Sequence, residues 1–336
     1  MSYSFTFDDI PDLTGKVAIV TGGSSGIGEV ISRELARKNA KVYITTRSQS
    51  RADQAIARIR AASAEVEGVE NNLTFLEVDL ETMKGATAAA KFFLKLEDRL
   101  DIVVANAGLG GIKSQLTPDG YERNFAVNHL GHFAFLTTLL PLIERTAAAN
   151  PKSDVRIVIQ SSQSFYNASK IDYQDLTKTY SSSWGFLTLR EMLGRYARSK
   201  LANIYFMREL AKRTNDIPNL YVNASHPGLV YTNIFDLSTS PLPRYMQIIG
   251  EYQAWLFGIP VDDGAKTALF LASDKRVIKD GLKRIFLYPA PQGPLGGYVY
   301  FNGVYPRALN SLGEDGDEAS KLWEFSEQAL AKALNS

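Results

Sequence analysis

An α/β fold with a doubly wound, mostly parallel sheet of about seven strands and helices on both faces is predicted by three observations. Short apolar runs that read as buried strands alternate with helical stretches between Lys16 and Ser225. The first of these runs passes directly into a cluster of glycines. The chain has 336 residues, 45% hydrophobic and 22% charged, long enough to bury roughly three quarters of its unfolded surface.

In chain order, Lys16–Thr21 is the first predicted strand and Gly26–Asn39 the first helix, with Ile27, Val30, Ile31 and Leu35 toward one side. Lys41–Thr46 is a strand, Arg51–Ala62 a helix, Leu73–Asp79 a strand and Thr82–Glu97 a helix. Leu100–Ala105 is a fourth strand, followed by a long helical pattern over Gly120–Asn150. Val155–Ser161, a helix over Arg195–Arg213, and Leu220–Ser225 complete the regular part. Past Gly228 the pattern loosens: residues 229–260 are rich in Pro, Ser and aromatics. Val261–Ser273 is helical, Gly297–Asn302 a seventh strand, and Glu314–Leu334 a terminal helix with Leu322, Trp323, Phe325 and Leu330 on its apolar side. Without repeats or a low-complexity linker, residues 1–336 read as one domain, elaborated at 163–195, 229–260 and 285–336.

Composition excludes several chemistries. Net charge is +1, from 37 basic and 36 acidic residues, so no basic excess drives nucleic-acid binding. Cysteine is absent, which removes disulfides, thiolate metal sites and a Cys nucleophile. The three histidines, His129, His132 and His226, make a metal centre an unpromising expectation. The N-terminus lacks the pattern of a secretory signal, and no run of about 18 apolar residues suggests a membrane span. A cytoplasmic location is expected. Leu256–Phe257 and Ile285–Tyr288 are read as exposed apolar loops open to a peripheral membrane contact.

The segment Thr21-Gly22-Gly23-Ser24-Ser25-Gly26-Ile27-Gly28 lies between the first strand and the first helix. Gly22 permits a tight turn, Gly26 lets backbone approach a pyrophosphate, and Gly28 lets the helix pack close to the sheet. Free N–H groups at the helix start then attract phosphate.

On this motif the chain resembles the short-chain dehydrogenase/reductases, which bind a nicotinamide cofactor on a Rossmann fold. Asn106-Ala107-Gly108, Asn128 within Val-Asn-His-Leu-Gly, Ser161-Ser162, Tyr196-Ala-Arg-Ser-Lys200 and Pro227-Gly228 follow in family order over about Gly15–Thr232. The resemblance implies cofactor contacts at Gly22, Ser24, Ser25, Gly26, Ile27, Gly28, Asn106, Ala107, Gly108, Tyr196, Lys200, Pro227, Gly228, Val230 and Thr232. Asp79-Leu80 resembles the adenine-contacting pair, or Asp79 caps a helix. The second strand ends in Thr45-Thr46-Arg47-Ser48, without the carboxylate that would bind a ribose 2′-hydroxyl. Arg47 offers a fork of donors to a 2′-phosphate, so NADP(H) is expected, with NAD(H) as second choice.

Tyr196 and Lys200 share a helix face, and a nearby ammonium is expected to lower the phenol's pKa. The resemblance implies hydride transfer to a carbonyl carbon. Tyr196 is then the general acid, Ser162 (or its neighbour Ser161) polarises the oxygen, and Lys200 binds the nicotinamide ribose. Asn128 would hold a water of a proton relay. His129 and His132 read as packing residues and His226 as a loop or ribose-edge histidine.

Ser162 and Tyr196 stand 34 positions apart, a longer link than in common family members and similar to the branch of retinol dehydrogenases and the WW-domain oxidoreductase. Asn-His-Leu-Gly-His-Phe at 128–133 and Leu-Trp-Glu-Phe-Ser at 322–326 point the same way. Tyr166, Tyr173, Trp184 and Phe186 in the insertion, with Tyr231, Phe235, Trp255 and Phe257, are candidate lining for a bulky apolar or aromatic carbonyl substrate. The oxidative direction, or a non-catalytic dinucleotide sensor, are the alternatives. A homodimer or a monomer is expected.

Overall fold

The computed structural model describes residues 2–110, 112–150, 153–179, 185–230, 242, 258–292 and 300–335, with 185–187, 290–292 and 300–302 described at the level of the backbone. Nine strands form one sheet: β1 (Tyr3–Ser4), β2 (Val17–Thr21), β3 (Lys41–Thr46), β4 (Leu73–Glu77), β5 (Ile102–Ala105), β6 (Val155–Gln160), β7 (Leu220–Ser225), β8 (Phe286–Gln292) and β9 (Tyr300–Pro306). Their order is β1-β9-β8-β7-β6-β5-β2-β3-β4. Strands β2 to β8 pair in parallel, while β9 runs antiparallel to β8 and β1 antiparallel to β9. From β2 the chain winds outward through β3 and β4, then returns to β5 on the other side of β2. That reversal opens the crevice where ligands of such sheets bind.

Alternate residues of each strand enter opposite layers. Ala18, Val20, Val42, Ile44, Ile102 and Val104 pack with helices α1 (Gly26–Arg37), α2 (Gln49–Ala61) and α6 (Val261–Ser273). Val17, Ile19, Val103, Ile157 and Ile159 face the other layer. That layer holds α3 (Met83–Phe93), α4 (Arg123–Ala149), α5 (Gly185–Arg213) and α7 (Gly316–Asn335). Helix α4 is long and apolar enough to cross a membrane by length and composition, yet 78% of its most apolar window is buried inside the molecule. It is wound as a π-helix over Ala126–Leu130. The terminal helix α7 is held by Trp323, whose ring meets Phe133 at 5.0 Å and Arg213 at 4.3 Å.

Three expectations change. Nine strands stand among the described residues where about seven were expected, because β8 of the C-terminal elaboration and the N-terminal β1 extend the sheet. Ile285–Tyr288 is not an exposed loop: Phe286, Leu287 and Tyr288 are buried, since β8 lies beside β7 and sends its side chains into both layers. Helix α5 begins at Gly185, so the insertion supplies its first turns, after two short 3-10 segments at Gln163–Asn167 and Gln174–Thr177. Leu256–Phe257 lies outside the described residues.

Candidate active site

A cleft of about 470 Å³ opens at the carboxyl ends of β2, β3 and β5. Gly22, Ser24, Ser25, Gly26, Ile27 and Gly28 line it, with Arg47, Asp79, Leu80, Asn106, Ala107 and Gly108. The backbone explains the glycines. Gly22 and Gly26 sit at φ +64° and +54°, where a side chain is strained. A Cβ at Gly28 would lie 2.3 Å from Gly22 O and 2.6 Å from Asn106 Nδ2, so α1 comes as close to the strand end as backbone allows. This leaves a cradle of backbone at a helix N-terminus that suits a pyrophosphate. Thr45, Thr46, Arg51, Glu81, Leu109, Val127, Gln160 and Val261 also line the cleft.

Side chains lock the loop from below. Asn106 Nδ2 donates to Thr21 O at 2.9 Å, and Gln160 Nε2 donates to Asn106 Oδ1 at 2.9 Å. The Ala107 N–H donates to Thr21 Oγ1 at 2.9 Å. His132 Nε2 lies 2.8 Å from Thr21 Oγ1 and its Nδ1 lies 3.1 Å from Asn128 O. A carbonyl only accepts, so Nδ1 carries the proton and Nε2 accepts from the threonine hydroxyl. Burial holds His132 down at about 4 and keeps it neutral for that role. His132 is therefore a strut between the glycine loop and α4, more than the packing residue expected from sequence. Above the loop, Arg58 Nη2 donates to Ser24 O at 2.9 Å and pairs with Glu29 at 2.6 Å.

Tyr196, Lys200, Ser162 and Asn128 come together beside this cleft. Tyr196 and Ser162 share a side-chain hydrogen bond, and Lys200 Nζ lies 5.6 Å from the Tyr196 ring centre. The ammonium donates to Gln160 O at 3.2 Å and stands 3.4 Å from where a Cβ on Gly108 would be. Burial pushes Tyr196 up to about 12, against the opposing Ser162 bond, and pushes Lys200 down to about 8. The expected lowering of the phenol by Lys200 is not found: desolvation sets the direction, and only the Ser162 bond opposes it. The ammonium is directed at a carbonyl rather than at the phenol oxygen.

The two serines separate geometrically. Ser161 Oγ donates to Lys200 O at 2.7 Å and is turned into the core. Ser162 Oγ faces Tyr196 and lies 3.1 Å from Ser164 Oγ. Asn128 sits in the π-helical stretch. Its Oδ1 accepts from Leu109 N at 2.7 Å; its Nδ2 donates to Leu109 O and to Ser199 Oγ, both at 2.9 Å. Ser199 Oγ in turn donates to Tyr196 O at 2.8 Å, so one amide ties the loop after β5 to the helix of Tyr196.

Sequence reasoning missed Arg195 and Glu122. This buried ion pair, 3.2 Å apart, joins the residue before Tyr196 to the start of α4, where Glu122 accepts from Asn124 N and Phe125 N. Arg195 Nη2 also donates to Ile112 O at 3.0 Å.

Pro227, Gly228 and Val230 follow β7; Val230 bridges to Ile259, and its side chain stands with that of Ile27 in the space beside Gly264. Thr232, Trp184, Tyr231, Phe235, Trp255, Phe257 and the Phe186 side chain fall outside the described residues. Tyr166 and Tyr173 were expected to line a substrate pocket, but both bind the C-terminal elaboration. Tyr166 OH donates to Ala308 O at 2.8 Å, and the Tyr173 ring meets Phe325 at 4.7 Å. His129 bonds Ser326 at 2.8 Å among aromatic rings; His226 packs on Tyr288 at 4.8 Å. Both are buried.

Comparison with known proteins agrees with this geometry. The sequence profile of the short chain dehydrogenases matches residues 16–187. Retinol dehydrogenase 14 of Mus musculus is 33% identical over 318 residues, 93% of this chain and 85% of its own length. A crystal structure of an uncharacterized protein from Mycobacterium paratuberculosis superposes with a TM-score of 0.69 at 26% identity, covering 98% of each chain. Pseudomonas aeruginosa RhlG, solved as an NADP active-site complex, gives 0.56 at 25% identity, covering 78% of this chain and 91% of that one. With a dinucleotide cradle, the Tyr196–Lys200 helix and full-length relatives in agreement, the chain belongs to the short-chain dehydrogenase/reductase family, as an NAD(P)-dependent oxidoreductase of its retinol-dehydrogenase-like branch.

Proposed function

We propose that the protein is an NADPH-dependent reductase of bulky apolar or aromatic ketones and aldehydes, with Tyr196 as the general acid. The observation that carries this reading is the state of Tyr196. Its phenol is buried, hydrogen-bonded to Ser162 and held up at about 12, so it keeps its proton at neutral pH and has one to give. The bound nicotinamide supplies the hydride. Ser162 Oγ hydrogen-bonds the carbonyl oxygen and stabilises charge as it develops there, while Tyr196 donates the proton to that oxygen. Lys200, charged below about pH 8, orients the ribose side of the site and would return a proton to the spent phenolate through an intervening water. The glycine loop and Asn106–Gly108 hold the dinucleotide.

Two arginines of the cleft support NADPH over NADH: Arg47, as expected from sequence, and Arg51 one turn into α2. The name of the mouse relative, a retinol dehydrogenase, supports a large apolar substrate and favours alcohol oxidation as the second reading. The terminal helix α7 lies across α3 and α5, which supports a monomer over a homodimer paired through the Asn128 and Tyr196 helices.

The test is a titration with NADPH and, separately, NADH, followed by nicotinamide fluorescence, then a panel of carbonyls. Tighter NADPH binding and turnover of apolar carbonyls are expected. Y196F should keep cofactor binding and lose about 100-fold or more in kcat. A preference for NADH, or a Y196F variant with unchanged turnover, would overturn the reading.

A further inference from the structure

At the adenosine end of the cleft the structure holds a carboxylate that the cofactor reading does not use. Glu81 lines the same cleft wall as Arg47, Arg51 and Asp79. Its Oε1 accepts from Arg47 Nη1 at 2.6 Å and from Arg123 Nη2 at 2.5 Å, so one oxygen serves two guanidinium groups. The Glu81 N–H donates to Asp79 Oδ1 at 3.0 Å, which fixes the turn after β4 and aims the side chain at Arg47. The two arginines hold its carboxyl below the ordinary range despite partial burial. Arg123 is the less exposed partner, at 25% against 53% for Arg47. Arg51 has no carboxylate partner among the described residues.

We propose that Glu81 is a specificity-determining residue: it engages Arg47 while the site is free of dinucleotide and gives it up to a ribose 2′-phosphate. This rests on the assignment of Arg47 as phosphate reader. A guanidinium committed to Glu81 cannot offer its full fork of donors to a phosphate. The Glu81 charge also opposes a phosphate of about two negative charges, whereas the neutral ribose hydroxyl of NADH meets neither obstacle. Arg123 remains on Glu81 when Arg47 leaves, so the carboxylate is never stranded. The residue therefore weakens NADPH selectively and narrows a preference that two arginines alone would make wider. A sequence that reads only the end of β3 sees the arginine and misses its restraint, which arrives from the turn after β4.

The experiment measures dissociation constants for NADPH and NADH by nicotinamide fluorescence on wild type, E81A, E81Q, R47A and R47A/E81A, each with a thermal melt to confirm folding. E81A and E81Q should tighten NADPH about fivefold, equivalent to about 1 kcal/mol at 1.4 kcal/mol per decade, and move NADH by less than about twofold. In the R47A background the same change should move NADPH by less than about twofold, because the restrained group is gone. Unchanged or weaker NADPH binding in both folded Glu81 variants overturns the proposal. So does a loss of NADH affinity as large as any change for NADPH, since Glu81 would then be holding a ribose hydroxyl. If wild type prefers NADH and R47A leaves NADPH binding untouched, the phosphate-reader assignment itself has failed. If R47A weakens NADPH while Glu81 is silent, only the present proposal has.

Discussion

Replacing Lys200 with methionine should make the cofactor-free protein more stable while destroying its activity. Lys200 is 2% exposed, and burial alone brings it from the ordinary lysine value of 10.5 down to about 8. That displacement corresponds to an unfavourable burial of about 3 kcal/mol at pH 7. Methionine also loses the 3.2 Å bond to Gln160 O, a term of about 1 kcal/mol. The carbonyl is not stranded, because Asn203 Nδ2 donates to it at 3.0 Å. The net expectation is a gain of about 2 kcal/mol at pH 7. The sign also fixes the pH dependence. Between the folded value of about 8 and the unfolded 10.5, the unfolded chain binds the extra proton, so wild-type stability rises with pH through that window. The advantage of K200M should be full below pH 8 and fade toward pH 10.5. Urea unfolding of both proteins at pH 7, 8, 9 and 10 measures it. A K200M protein less stable than wild type at pH 7, or a difference that does not change with pH, would refute the reasoning.

Gly28→Ala should abolish NAD(P) binding and lower the melting temperature, because its Cβ would stand 2.3 Å from a backbone oxygen; fluorescence titration and a melt check both. His129, His132 and His226 are held at about 3, 4 and 3 against an ordinary 6.5. Below pH 6.5 the unfolded chain binds three protons that the fold refuses, so stability should fall with a slope of about 4 kcal/mol per pH unit near pH 5. Denaturant midpoints between pH 7 and 4.5 read that slope. His132→Phe should cost about 1–3 kcal/mol and weaken the dinucleotide, since Thr21 Oγ1 and Asn128 O lose their shared partner; R47A should spare NADH and weaken NADPH.

What the sequence shows and what it hides divide along a physical line. The glycine loop, Asn106–Gly108, Asn128, and the Tyr196–Lys200 pair are legible because each is a local pattern at the end of a strand or along a helix face. Glu81 and the Glu122–Arg195 pair are not, because their partners come from distant segments. Ser161 and Ser162 cannot be told apart by composition; the end of β6 at Gln160 turns one inward and the other to the site. Strand β8 carries prolines at 289 and 291, which argue against a strand paired on both sides; they fall past Phe286 and Leu287, the two residues that pair with β7, in the stretch that pairs with β9. The titration of Tyr196 depends on burial by the whole fold, a long-range quantity no spacing encodes.

The two residues of β1 do more than their length suggests. Tyr3 and Ser4 pair with Val304 and Gly303, and Tyr3 is fixed by its hydroxyl on Asp280 Oδ2 at 3.0 Å and by the Phe270 ring at 5.0 Å. They mask part of β9, whose outer N–H and C=O groups would otherwise be a template for another chain. Breaking the pairing of Tyr3 and Ser4 with β9 would leave every group of the cleft in place and bare that template. The expected failure is self-association at the far edge of the sheet rather than lost catalysis.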